Sequence, residues 1–129
     1  MDPRLERYVA RAFSLIHGHW LIAESRIEFV QPDESTLGIS GRATTIDGSP
    51  LYITENTEVE LGELCTVDYS YQFRNPDEAG FFRYDSASHG RPEPYHHKHE
   101  YGKPIRPMAK PPTLFEFLRE VEEALRQEP

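Results

Sequence analysis

From Leu5 to Ile16, apolar residues recur at helical spacing. Leu5, Tyr8, Val9, Ala12, Phe13 and Ile16 fall on one stripe and Gly18 supplies a stop, which predicts an amphipathic helix over residues 3 to 17. The period then changes to two. Residues 26 to 30, around Ile27 and Phe29, and residues 36 to 46, where Leu37, Ile39, Gly41 and Ala43 alternate with polar neighbours, read as strands. Asp47-Gly48 is a two-residue hairpin signal leading into residues 50 to 54 and on toward Val59 and Leu61. From Leu64 to Phe73 the alternation places Val67, Tyr69, Tyr71 and Phe73 on one face and Thr66, Asp68, Ser70 and Gln72 on the other. The turn formers from Asn75 to Gly80 return the chain into a strand over residues 81 to 84. Near the other end, Thr113 and Glu116 have capping-box spacing. Leu114, Phe117, Leu118, Val121 and Leu125 form the stripe of a second helix. The pattern therefore predicts a single α+β domain over residues 1 to 129. It consists of an antiparallel meander of four to five strands with an N-terminal and a C-terminal helix packed on one face.

Composition adds a boundary and a compartment. Many of the 11 prolines and 8 glycines lie between Pro76 and Pro112, so a long Pro/His-rich loop is expected at about 85 to 112. No apolar run approaches the roughly 20 residues of a membrane span, and residues 1 to 6 lack the apolar region of a signal peptide. A cytoplasmic protein without a membrane partner is expected. Cys65 is the one cysteine and reads as a small core residue, and Trp20 reads as core rather than as a base-stacking platform. Glu55, Glu58, Glu60 and Glu63 read as the solvated face of a strand or a surface that meets a basic partner.

Charge is uneven. The net charge is -8, yet residues 83 to 110 carry six Lys/Arg against three Asp/Glu, while residues 1 to 82 carry six against fourteen. An acidic body with one positive segment does not suit tracking along a duplex. It suits a small anion or a phosphodiester held at one place.

That positive segment also holds the candidate chemistry. Four of the six histidines, His89, His96, His97 and His99, lie there with Arg83, Asp85, Tyr95, Lys98 and Lys103. In extended chain His97 and His99 share one side and His96 and Lys98 the other; Arg83 and Asp85 likewise share a face opposite Tyr84. RNA cleavage needs a base for the 2′-hydroxyl, an acid for the leaving 5′-oxygen and cations for the phosphorane. His97 and His99 are the candidate base and acid, in unassigned order. Arg83 and Lys98 would stabilise charge, Asp85 would orient an imidazole, and His89, Tyr95, His96 and Lys103 would line the substrate site. Because the histidine spacing matches no ordered metal-ligand pattern, no metal and no cofactor are expected. Two other readings use the same residues: a non-enzymatic module docking an acidic partner, and a metal-assisted hydrolase. His17 and His19, flanking Gly18, read as groups that meet helix-terminal carbonyls.

Over roughly residues 40 to 125 the chain resembles the TumE family of small prokaryotic proteins. The resemblance is carried by Leu51-Tyr52-Ile53-Thr54-Glu55, Val59-Glu60-Leu61, Tyr69-Ser70-Tyr71-Gln72, Phe82-Arg83-Tyr84-Asp85, His89, His96-His97-Lys98-His99 and Pro112-Thr113-Leu114. Its specific element is the strand-ending Arg-Tyr-Asp followed by the His-His-Lys-His run. Family members often read Asn-Ala-Pro-His-His where this chain has Ser86-Ala87-Ser88-His89-Gly90, so the second histidine of that pair is absent. The resemblance implies a toxin of a type II toxin–antitoxin pair. It also implies a cognate antitoxin, often a winged-helix-type DNA-binding protein. Together with the residue chemistry, it leads to the expectation of a metal-independent ribonuclease acting on RNA.

Overall fold

The computed structural model describes residues 2–74, 81–86 and 96–126. Helix α1 spans Pro3–His17. The Asp2 carboxylate accepts a hydrogen bond from the Arg4 amide, and Gly18 closes the helix by donating its amide to the Ser14 carbonyl. Seven strands follow in one antiparallel meander, each bonded to the next: β1 Ile22–Asp33, β2 Thr36–Thr45, β3 Pro50–Glu60, β4 Glu63–Phe73, β5 Phe82–Asp85, β6 His97–Glu100 and β7 Arg106–Pro107. Helix α2 covers Leu114–Arg126 and opens on the expected capping box. Glu116 takes the Thr113 amide and Thr113 Oγ1 takes the Glu116 amide, both at 3.0 Å.

Both helices cover the same face. Leu5, Ala12 and Ile16 of α1 join Leu114, Phe117, Leu118 and Val121 of α2 over Leu37, Ile39, Leu51, Ile53, Tyr71, Phe73 and Phe82. Phe117 is central, with its ring 5.5 Å from Tyr71 and 5.8 Å from Phe82. Polar and charged residues occupy the other face, and no helix among the described residues lies on it.

The sheet has seven strands where the sequence pattern predicts four to five. The two extra strands come from the stretch expected to be irregular. His97–Glu100 reads His-Lys-His-Glu, so it shows no apolar alternation; it becomes a strand through pairing with β5. Other side chains depart from expectation as well. Val67 is exposed because the register of β3 against β4 shifts between Asn56 and Thr57, which moves the pairing from Asp68 to Thr66 past it. Trp20 is 57% exposed, and the Arg126 guanidinium lies 5.7 Å from its ring centre, so it is a surface aromatic and not core. Cys65 is only partly buried, opposite Glu58. The expected turn at Asn75 to Gly80 lies outside the described residues.

Gly41 pairs with Ile27 at φ 146°, and a Cβ there would stand 2.1 Å from the Arg26 carbonyl oxygen. Gly48, at φ 88° in the β2–β3 turn, has open space around it. Gly41→Ala should therefore cost more than about 2 kcal/mol, because both the conformation and the space are wrong. Gly48→Ala should cost about 1 kcal/mol from conformation alone. Urea unfolding of the two variants measures the difference, and equal losses would show that β1 gives way at no cost.

Candidate functional site

Strands β5 and β6 build the site. Burial of Phe82 and Tyr84 on the helix side turns Arg83 and Asp85 to the open face, and the register then sets Arg83 opposite His99 and Asp85 opposite His97. The Asp85 carboxylate is the hub. Its Oδ1 lies 2.6 Å from His97 Nε2 and its Oδ2 lies 3.5 Å from His99 Nε2, while Arg83 Nε donates to Oδ2 at 3.0 Å. The two imidazole rings meet edge to face, 4.7 Å apart. Access differs sharply between them: the His97 side chain is 0% exposed and that of His99 is 21% exposed. A shallow depression of about 440 Å³, lined in part by Thr54, Ser70, Gln72, Arg83 and Asp85, opens beside the hub.

One ligand atom each from Asp85, His97 and His99 falls within 4.8 Å of the others. Two imidazole nitrogens and a carboxylate oxygen are donors that zinc and other divalent transition metals accept, so these three residues could hold such an ion.

Lys98 and His96 point to the helix side, as their parity requires. Lys98 Nζ lies 2.6 Å from Glu120 Oε2 on α2 and 4.9 Å from the centre of the Tyr84 ring. Burial works against its ammonium, but hydrogen bonds to Glu120 and Tyr84 prevail and hold its pKa above the ordinary lysine value. Tyr84 donates to Glu120, and burial together with that bond pushes its phenol up to about 12. The sheet thus separates Lys98 from His97 and His99, contrary to the expectation that all of them serve one site. His96 Nδ1 lies 3.1 Å from the Tyr69 hydroxyl, with the rings stacked. Burial first, and the Asp85 carboxylate second, raise Tyr69 to about 12. Lys103 is exposed and pairs with Glu100 at 3.1 Å. His89 and Tyr95 lie outside the described residues. Of the bystander histidines, His19 Nδ1 accepts the Leu21 amide at 3.2 Å.

Glu55 reverses its expected place on a solvated face. It is fully buried under α1, where its carboxylate accepts hydrogen bonds from the Tyr8 and Tyr71 hydroxyls and, at 2.7 Å, from Thr57 Oγ1. Burial, then the Glu55 charge, moves both phenols well above the ordinary tyrosine value. The signal was present in the sequence: Glu55 shares parity with Leu51 and Ile53, so the period of two assigns it to the buried face. A cleft of about 600 Å³ between α1 and the start of α2 has Tyr8 and Tyr71 in its wall, on the opposite side of the sheet from the histidines.

Comparison with known proteins adds one match. The family model described as "Toxin TumE" matches residues 10–127. No curated protein and no solved structure matches the chain.

The Tyr84–Glu120–Lys98 cluster contributes to loss of stability at alkaline pH, alongside the other raised phenols. The folded-state pKa of Tyr84, about 12, exceeds the ordinary value of 10.0, so its contribution is full below pH 10 and is lost as pH rises toward 12. With solvent screening the loss is about 1 kcal/mol. Urea unfolding at pH 8 and pH 11 should show a smaller alkaline loss in Tyr84→Phe than in the parent. An identical loss would place the alkaline sensitivity elsewhere.

Proposed function

The chain belongs to the TumE toxin family, and we propose that it exerts its toxicity by cleaving RNA at the Asp85 cluster. Membership makes it the toxin of a toxin–antitoxin system with a cognate antitoxin as partner. The type II class, a DNA-binding antitoxin and a cytoplasmic site of action belong to the proposal.

One observation carries the ribonuclease reading: a carboxylate shared by two imidazoles and a guanidinium on the uncovered face of the sheet. Cleavage forms a bond from the 2′-oxygen to phosphorus and breaks the bond from phosphorus to the 5′-oxygen. His99, the accessible imidazole, takes the 2′-hydroxyl proton and returns it to the leaving 5′-oxygen. His97 has no exposed surface, which argues against direct contact with substrate and narrows the expected base and acid pair to His99. His97 acts as a positioning residue that fixes Asp85. Arg83 spends Nε on Asp85, and its terminal N–H groups are the donors suited to the phosphorane charge. Lys98, across the sheet, takes no part in the reaction.

A second reading is favoured by the convergence of Asp85, His97 and His99 within 4.8 Å. A divalent ion held there would polarise a phosphate oxygen or a water, giving metal-assisted hydrolysis at the same place.

Expression of the parent should arrest growth, and His99→Ala or Asp85→Asn at matched soluble levels should relieve the arrest. In purified form His99→Ala should lower kcat/KM on RNA by about 100-fold or more. Arg83→Lys should lose about tenfold, because an ammonium lacks the planar fork. Activity should survive a chelator. Loss of activity on chelation, with recovery on adding zinc, would replace the leading mechanism with the metal-assisted one. Equal toxicity of all variants would remove the site from the toxic activity altogether.

A further inference from the structure

The register of the sheet brings together six residues that are scattered in sequence. On the open face Arg26 pairs with Arg42, Arg42 with Tyr52, Tyr52 with Gln72, Gln72 with Arg83, and Arg83 with His99. They form one transverse row running from β1 to β6 and ending at the Asp85 hub. We propose that this row is a track for single-stranded RNA that leads the strand across the sheet into the cleavage site. The proposal rests on the ribonuclease reading and specifies the form of its substrate.

Four observations carry it. Five strand spacings of about 4.8 Å make a path of about 24 Å, a length suited to the several nucleotides that single-strand binding surfaces engage. Three of its six side chains are arginines, set along an otherwise acidic chain of net charge -8. These cations offset locally the acidic charge that would repel a long duplex. Tyr52, on the middle strand, is 39% exposed with the Arg42 guanidinium 5.8 Å from its ring centre, an aromatic surface on which a base can stack. In the adjacent row, between Glu28 and Asp85, stand three hydroxyls: Ser40 pairs with Glu28 and Thr54, and Ser70 with Thr54 and Asp85. Those groups suit the sugar and phosphate edges of a strand lying beside them. Glu24 holds Arg26 at 3.1 Å, but both side chains are largely exposed, at 61% and 84%. Such a pair is weak, and a phosphate can displace its carboxylate. A duplex presents no unstacked base to Tyr52, which favours a single strand as the occupant.

Binding and cleavage can be read separately. A fluorescein-labelled 2′-O-methyl octaribonucleotide, which lacks the attacking hydroxyl, reports binding by anisotropy, and a plain diribonucleotide reports cleavage at the hub alone. Tyr52→Ala and Arg42→Ala should each weaken octamer binding by about tenfold. Arg26→Ala and Arg42→Ala should each reduce the slope of log affinity against log salt by about 0.7, and the matched duplex should bind more weakly than the single strand. Diribonucleotide cleavage should stay at the parent level in all three variants. If the diribonucleotide is cut while Tyr52→Ala and Arg42→Ala bind the octamer as the parent does, the track is overturned and the ribonuclease reading stands. If binding falls in both variants but no diribonucleotide is cut, the track is supported and the cleavage reading fails. Loss of antitoxin binding in Tyr52→Ala with unchanged octamer affinity would assign this face to the antitoxin and overturn the proposal.

Discussion

In this sheet stability and chemistry are divided by the pleat. Successive side chains of a strand face opposite ways, so once Phe82 and Tyr84 lie on the helix side with Phe117 and Glu120, Arg83 and Asp85 have nowhere to go but the open face. A slip of one residue in β5 would expose the aromatic pair and bury the charged one, so the apolar face enforces the register. Pairing with β6 carries that parity one strand further and sets His97 and His99 beside Asp85. The hub is thus a consequence of burial elsewhere.

The edge of the sheet needs other fasteners. β6 has four residues and β7 two, and β6 brings no aliphatic or aromatic side chain to the core. Its helix-side residues are held by polar contacts instead: Lys98 by Glu120 of α2, and neighbouring His96 by Tyr69 of β4. Because Lys98 is buried and its partner is close, this pair has more holding power than an exposed ion pair. A lysine that sequence chemistry would recruit to a phosphate instead docks the strand that carries the histidines.

Two carboxylates buried in one sheet are satisfied in opposite ways. Glu55, on the helix side, is held by the hydroxyls of Tyr8, Tyr71 and Thr57, which makes it a polar pin through the core. Asp85, on the open side, is held by a guanidinium and two imidazoles, groups that can also take a phosphate or exchange a proton. Burial alone does not distinguish them; their partners do.

Much of the architecture is local and so was legible without coordinates. Helical spacing and a capping box located both helices, Asp47-Gly48 located a hairpin, and alternation with turn formers located four to five of the seven strands and the correct sharing of faces among Arg83, Asp85, His97 and His99. Those signals are properties of neighbours along the chain. By contrast, nothing local marks His97–Glu100 as a strand, the bulge that ejects Val67, or the exposure of Trp20, because each depends on what a distant strand or helix presents. The same holds for function. The sequence by itself determined which residue types were available, and tertiary structure alone decided that Lys98 belongs to α2, that His97 is sealed while His99 is open, and that Arg26, Arg42 and Tyr52 align with Arg83. Alignment across strands is set by hydrogen-bond register between segments far apart in the chain, which no window of sequence contains.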